Sequence, residues 1–119
     1  MAQHNILGRN GEDIAVEFLQ NKQYKVLARN FRFQKAEVDI IALKGDTLAA
    51  VEVKTRSTSE FGNPQDFVKP KQIQHLVKVM DHFVTSRALE VEVRFDIVAI
   101  IKDKTEIKIE HIKDAFLYF

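Results

Sequence analysis

The apolar residues between Ile73 and Val84 are spaced by three and four positions, which is the strongest helical periodicity in the chain. They are Ile73, Leu76, Val77, Met80, Phe83 and Val84. Runs rich in β-branched residues precede and follow this stretch, at residues 48–53 and 91–102, and such runs are typical of strands. A strand, a helix and a second strand in succession form a crossover that brings the two strands together in parallel. The chain is therefore predicted to adopt an α/β fold.

Four further segments complete the predicted order of elements. Residues 5–22 carry apolar side chains at helical spacing, and residues 24–33, 38–43 and 106–112 have the composition of strands. Gly45 supplies the permissive backbone of a tight hairpin turn between the second and third strands. Residues 56–70 form a long loop, and residues 113–119 a short turn or helix. The order α-β-β-β-α-β-β predicts a single domain over residues 1–119, with a mixed central sheet flanked by helices on both faces.

Composition narrows the classes of function. The chain of 119 residues has 45% apolar residues and no cysteine, which excludes a disulfide scaffold, a thiolate zinc site and a cysteine nucleophile. Any metal would be held by oxygen or histidine ligands. No stretch reaches the length of a membrane span and the amino-terminal segment lacks the core of a signal peptide, so we expect a cytoplasmic protein without a membrane partner. A net charge of +1 neither demands nor forbids a nucleic-acid partner.

Charged residues interrupt both strands of the predicted hairpin. With Gly45-Asp46 as a two-residue turn, Asp39 lies opposite Glu52, and Glu37 lies opposite Lys54, all on one face. Opposed like charges at the margin of an apolar surface are unfavourable, so Asp39 and Glu52 should bind a proton or a cation. Magnesium prefers carboxylate and water ligands, and Lys54 could stabilise the charge of a phosphate nearby. A phosphodiester-cleaving site is therefore one interpretation of the pattern.

A simpler interpretation of the same residues stays open. Glu37 and Lys54 could form a surface ion pair while Asp39 and Glu52 reach solvent at the strand ends. Short motifs of this kind occur often by chance. The spacing alone does not decide between these alternatives.

The residues also carry a resemblance to known proteins. Asp39 followed by Glu52-Val53-Lys54 is similar to the motif of the PD-(D/E)XK nuclease superfamily, whose core has the order α-β-β-β-α-β. More specifically, nearly the whole chain resembles the YraN-like family of bacterial predicted endonucleases. The matching segments are "LGRNGED" with Gly8, Gly11 and Glu12, "VLARNFR" with Arg29, Asn30 and Arg32, "AEVDIIA", "VEVKTR", "FGNP" with Val68 and Lys71, "RFDIV" with Asp96, and "EHIKDAF".

The resemblance implies a fold, a cofactor and a set of roles. It implies a restriction-endonuclease-like core related to archaeal Holliday-junction resolvases, dependent on Mg²⁺ or Mn²⁺. Asp39, Glu52 and Glu12 would be metal ligands, and together with Lys54 they would be the catalytic residues. Three positions depart from the family pattern: Val38 in place of proline, Ala36 in place of glycine, and Gln23 in place of glycine. Alanine at position 36 would be costly if the backbone there required a positive φ.

Basic side chains flank the proposed site and are candidates for nucleic-acid contacts. They are Arg29, Arg32, Lys35, Arg56, Lys69 and Lys71. Phosphate contacts from such residues give sequence-independent affinity, although basic residues at strand ends are also ordinary solvated positions. Glu37 is a supporting residue opposite Lys54, and Asp96 is expected to anchor structure beside the site because its apolar strand must provide it with a partner.

The leading hypothesis is a metal-dependent endonuclease that acts on DNA, with branched or structured DNA in repair or recombination as its substrate class. The alternatives are a non-catalytic nucleic-acid-binding domain that keeps the nuclease fold, and a structural domain whose acidic cluster is neutralised by Lys54 and solvent. The apolar residues 116–119 either pack on the domain or build a homodimer interface.

Overall fold

The computed structural model describes residues 10–56 and 69–115. Two helices and five strands follow one another in the order α-β-β-β-α-β-β, as the sequence predicts. The helices are α1 (Gly11–Asn21) and α2 (Pro70–Ser86), and the strands are β1 (Lys25–Phe33), β2 (Ala36–Lys44), β3 (Thr47–Arg56), β4 (Glu92–Lys102) and β5 (Ile107–Ile112). The predicted loop at 56–70 lies, apart from its ends, outside the described residues, as do positions 1–9 and 116–119.

The five strands form one mixed sheet in the order β1-β2-β3-β4-β5. Neighbouring strands are antiparallel except β3 and β4, which are parallel, so the predicted crossover through α2 is confirmed. This is the α-β-β-β-α-β core expected of a restriction-endonuclease-like fold, with β5 added at one edge. Among the described helices, none combines the length and the apolar character needed to span a membrane.

Each face of the sheet is covered by one helix, as predicted. The α2-side core consists of Leu76, Val79, Met80 and Phe83 of α2, packed on sheet residues that include Val38, Ile41, Leu48, Ala50 and Ile97. The α1-side core consists of Ile14, Ala15 and Leu19 of α1, packed on Ile40, Ala42, Ala49, Val51, Val98 and Ile100. The central strands are apolar on both faces because both faces are buried.

Helix α1 begins at Gly11, later than the predicted start at residue 5. Asn10 has an extended backbone and its side chain accepts the backbone N–H of Glu12 at 2.7 Å, which is an N-cap. A side chain at Gly11 would collide with the side chain of Thr55 on β3. Glycine therefore allows the start of α1 to lie against the carboxyl end of β3, next to the charged hairpin.

Helix α1 ends in a left-handed turn. The backbone N–H of Tyr24 donates to the carbonyl of Leu19, and that of Gln23 donates to Gln20, both at 3.0 Å. This is the Schellman pattern, in which the residue after the C-cap adopts a positive φ and is usually glycine. Gln23 adopts φ 74°. The glycine expected at position 23 from the resemblance would fit this backbone, whereas Ala36 lies in β2 without a positive φ and carries no such cost.

The predicted hairpin register is confirmed over its inner half. Gly45 adopts φ 62°, and the pairs run from Lys44 with Thr47 to Ile40 with Val51. Beyond Ile40 and Val51 the pairing of β2 with β3 stops, although β3 stays paired with β4 as far as Arg56. The two strands therefore diverge, and the charged residues lie at this fork.

Strand β2 also loses its side-chain alternation at the fork. Ile40 packs in the α1-side core and Ile41 in the α2-side core, yet Val38 packs in the α2-side core as well. Across from Asp39 on β1, Asn30 adopts φ 52° between the paired residues Arg29 and Phe31. Glu37 pairs with Arg32 of β1. The expectation that Glu37 lies opposite Lys54 is therefore wrong, because the β2–β3 ladder ends before it reaches them.

Candidate functional site

Asp39 occupies the fork between β2 and β3. Its Oδ2 accepts the backbone N–H of Val53 at 2.8 Å. Hydrogen-bonded pairs alternate along an antiparallel ladder, and after Ile40 with Val51 the next such pair would join Val38 with Val53. The carboxylate of Asp39 thus takes the donor that the ladder would have used, which fixes this half-buried side chain beside β3.

Glu52 is buried on the face of the sheet covered by α2. It is only 6% exposed, and its parallel partner Ile97 belongs to the α2-side core. Its Oε2 is buried and has no hydrogen-bond partner within residues 10–56 and 69–115. A buried carboxylate oxygen without a partner is costly, so this atom calls for a proton or a cation.

The two carboxyl groups perturb each other. The pKa of Glu52 is raised to about 8, first by burial and then by the negative charge of Asp39, while the positive charge of Lys54 opposes the rise. Burial also raises the pKa of Asp39, while the hydrogen bond from Val53 lowers it and the charge of Glu12 raises it. Both groups therefore share a site that disfavours two adjacent negative charges.

The residues of this pair fit a divalent cation. Magnesium takes one or two carboxylates and completes its shell with waters or phosphate oxygens. Oε2 of Glu52 is available to bind a metal ion, and so is Oδ1 of Asp39, because only Oδ2 accepts the N–H of Val53. Glu37 lines the same cavity of about 310 Å³ as these two acids. The structure therefore brings Glu37, Asp39 and Glu52 together, with Lys54 two residues further along β3 from Glu52.

Glu12 makes other contacts. Its Oε1 accepts Nε and Nη2 of Arg29 at 3.1 and 2.9 Å and Nδ2 of Asn30 at 3.0 Å. Across 10–56 and 69–115, no three histidine, aspartate or glutamate side chains converge in a geometry that could hold a metal. The negative charge of Glu12 raises the pKa of Asp39. The role of Glu12 as a further metal ligand stays a prediction.

The predicted nucleic-acid-binding residues have different surroundings. Arg29 donates to Asp13 at 2.7 Å as well as to Glu12, so its charge is largely compensated within the protein. Arg32 is exposed on β1. Arg56 is exposed at the end of β3 and donates to the carbonyl of Thr55 at 2.8 Å. Lys69 occupies the N-cap position of α2 without a side-chain capping hydrogen bond, and Lys71 lies exposed in the first turn of α2. Their contacts with nucleic acid remain predictions.

Asp96 is an anchor on the opposite face. It pairs with Val51, which packs in the α1-side core, and its side chain is fully buried. Its carboxylate accepts two hydrogen bonds from Arg94 at 2.8 and 2.9 Å and the backbone N–H of Asp114 at 3.1 Å, and it lies 2.8 Å from Nε2 of His111. Burial alone would raise the pKa of Asp96, but the His111 and Arg94 hydrogen bonds lower it below its ordinary value. Asp96 therefore supports the fold and does not reach the carboxylate pair.

Sequence reasoning missed the contribution of α2 to the site. Gln72, His75 and Leu76 line the cavity that holds Asp39 and Glu52, together with Lys35 of the β1–β2 turn and Ala36 at the start of β2. The helical periodicity places these α2 residues near one face of the helix, but it does not say which part of the sheet that face meets. The signal would have been a hydrophilic position, His75, next to the apolar stripe.

Comparison with known proteins gives the family. The sequence profile of "Uncharacterised protein family UPF0102" matches residues 11–100. The chain belongs to this family. A UPF0102 protein of Christiangramia forsetii is 67% identical over 119 residues, covering all of both chains. UPF0102 proteins of Flavobacterium psychrophilum and Bacteroides fragilis are 58% and 44% identical, over 100% of both chains and over 98% of this chain and 96% of the relative. The matched UPF0102 region includes every proposed site residue from Glu12 to Asp96.

Proposed function

We propose that this UPF0102 protein is an endonuclease dependent on Mg²⁺ or Mn²⁺ that hydrolyses phosphodiester bonds of DNA. The observation that carries the proposal is the buried Oε2 of Glu52, which has no partner in the described parts of the chain and lies beside the carboxylate of Asp39. A structural acid at such a depth would be expected to have its hydrogen bonds satisfied, as Asp96 does.

Each residue of the site has a distinct task. Asp39 and Glu52 would hold the metal, and the backbone N–H of Val53 keeps the Asp39 carboxylate in place. Lys54 adds a positive charge where a phosphate would develop further negative charge during cleavage. A divalent metal, when bound, lowers the pKa of water and polarises a phosphoryl oxygen. Glu12 accepts hydrogen bonds from Arg29 and Asn30 of β1, which orients these two side chains.

A second function has one observation in its favour. Glu12 accepts hydrogen bonds from Arg29 and Asn30, and among the described residues no three acidic or histidine side chains form a group that could hold a metal ion. A domain that binds DNA without cutting it would need no more than this. The endonuclease proposal also includes branched DNA as the substrate, a role in repair or recombination, and formation of a homodimer.

The test combines cleavage with metal binding. Purified protein is incubated with linear, nicked, flapped and four-way DNA in Mg²⁺ or Mn²⁺, and we expect cleavage to fall at least about 100-fold in Glu52→Gln and in Lys54→Ala. Glu110→Gln and Lys108→Ala, exposed changes on β5, are matched controls and should cleave like the wild type.

Thermal unfolding with and without metal provides a second readout. The metal should raise the melting temperature of the wild type and leave that of Glu52→Gln unchanged, because a ligand stabilises only a protein that binds it. Cleavage that persists in both variants would contradict the proposed site. Salt-sensitive DNA binding without cleavage would favour the binding-domain alternative.

A further inference from the structure

A second cavity opens beside the carboxylate pair. We name it the turn cleft; its volume is about 530 Å³, and it lies between the β1–β2 turn and α2. Its described lining residues are Phe33, Gln34, Lys35, Ala36, His75 and Lys78. Lys35, Ala36 and His75 also line the cavity that contains Asp39 and Glu52, so the two cavities adjoin. Apart from the predicted nucleic-acid contact of Lys35, none of the site roles assigned above uses the turn cleft.

The two adjoining cavities differ in charge. The turn cleft is lined by two exposed lysines, Lys35 on the turn and Lys78 on α2, and by the half-buried His75. None of its described lining residues is acidic, whereas the adjoining cavity holds Glu37, Asp39 and Glu52. An anion would therefore bind in the turn cleft and a cation next to it. A nucleotide strand crossing both would place phosphates on the lysines and its next phosphate near the carboxylates.

The turn cleft also has an aromatic wall that is held in place. Phe33 is stacked on His82 of α2, with ring centroids 4.0 Å apart and planes at 13°. The neighbouring Phe31 contacts Phe83 edge to face at 5.1 Å. These contacts fix Phe33 before any ligand arrives. A fixed aromatic ring beside cationic side chains is the arrangement by which proteins bind unstacked bases.

The volume of the turn cleft suits an unpaired nucleotide. At about 530 Å³ it falls in the range of pockets that bind a small ligand. A base within a duplex is stacked and paired, and it enters such a pocket only after it leaves the helix. Unpaired bases of single strands and flaps enter without that cost.

We infer that the turn cleft binds an unpaired nucleotide next to the phosphate at Asp39 and Glu52, so that the substrate is DNA with a single-stranded segment beside the cleavage point. This inference rests on the proposed function. Base stacking would come from Phe33, and phosphate contacts would come from Lys35, Lys78 and His75.

The test measures binding without cleavage. Fluorescence anisotropy in EDTA compares one fully paired duplex with the same duplex carrying a single-stranded flap. We expect the wild type to bind the flapped DNA about tenfold more tightly, and Phe33→Leu to lose that preference while its affinity for the duplex stays unchanged. Phe33→Tyr keeps the ring and should keep the preference, which separates stacking from damage to the fold. Lys35→Ala and Lys78→Ala should each reduce the salt dependence of flap binding by about one ion, whereas Lys108→Ala should not.

The outcomes separate this inference from the proposed function. Equal affinity of the wild type for both DNAs overturns the inference. An equal loss of affinity for both DNAs in Phe33→Leu overturns it as well. Cleavage in Mg²⁺ that shows no preference for flapped DNA keeps the proposed function and removes the inference. A flap preference that depends on Phe33, in a protein that cuts nothing, overturns the endonuclease and supports only the binding of an unpaired nucleotide in the turn cleft.

Discussion

The carboxylate of Asp39 accepts the backbone N–H of Val53 at 2.8 Å, so one acid of the site is tied to the strand that carries the other. Asn at position 39 keeps an acceptor for Val53 but removes a charge that raises the pKa of Glu52. We expect Asp39→Asn to fold normally and to lower the pKa of Glu52 from about 8. Carbon-detected NMR titration of the Glu52 carboxyl measures this value. An unchanged pKa in the variant would show that the two carboxyl groups do not interact.

The stability of the metal-free protein should fall as pH rises from about 4.5 to 8. The folded pKa of Glu52 is raised to about 8 from an ordinary value of 4.5, so in this window the folded state keeps a proton that the unfolded state has lost. Stability present below pH 4.5 is therefore lost as pH rises through 8, by about 1.4 kcal/mol per pH unit. Urea unfolding in EDTA measures the slope. Glu52→Gln should flatten it and Glu110→Gln should not.

Arg29 and Arg32 should contribute unequally to DNA binding. The side chain of Arg29 is paired with Glu12 and Asp13, whereas the exposed side chain of Arg32 forms no hydrogen bond or ion pair with the part of the chain that the structure describes. Arg32→Ala should reduce the slope of binding affinity against salt concentration by about one, and Arg29→Ala should reduce it less. Affinities over a series of salt concentrations measure both slopes. Equal slopes for the two variants would mean that DNA displaces the acids from Arg29.

Gln23→Gly should stabilise the protein. Gln23 adopts φ 74° in the turn that ends α1, where glycine avoids a cost of about 1 kcal/mol. The melting temperature should rise by about 4 °C. Gln20→Gly is the matched control, because position 20 lies inside α1, and there glycine should destabilise by about 1 kcal/mol. A fall in the melting temperature of Gln23→Gly would contradict this account of the turn.

Asp96→Ala should destabilise the fold without affecting metal binding. The change leaves Arg94 and His111 without their buried partner, and loss of one member of a buried ion pair costs about 3 kcal/mol or more. Urea unfolding measures the loss, with Glu110→Ala at an exposed position of β5 as control. Metal should still raise the melting temperature of the folded variant, because Asp96 and Glu52 lie on opposite faces of the sheet. Loss of that rise would place Asp96 in the metal site.

Local rules predicted the hairpin, but not what happens at its end. A two-residue turn at Gly45-Asp46 fixes the inner pairs, and the periodicity from Ile73 to Val84 fixes α2. The fork could not be predicted, because it depends on the Asp39 side chain taking the N–H of Val53 and on the positive φ of Asn30 across the strand. The hydrogen bond between Arg29 and Glu12 depends on how α1 packs on the sheet, and the turn cleft depends on how α2 packs there. The spacing of residues along the chain does not specify either packing.

The order of strands in the sheet is the order of strands in the chain. Asp39 and Glu52 lie on two strands joined by a two-residue turn, so they meet as soon as one hairpin forms, and hairpins form within about 1–10 μs. The turn cleft forms only when α2 docks against the β1–β2 turn. The parallel pairing of β3 with β4 must bring together two strands separated by the whole α2 segment, and such long-range pairing is intrinsically slower than hairpin formation. During folding, the acidic pair is therefore expected to form first and the surface that would select its substrate last.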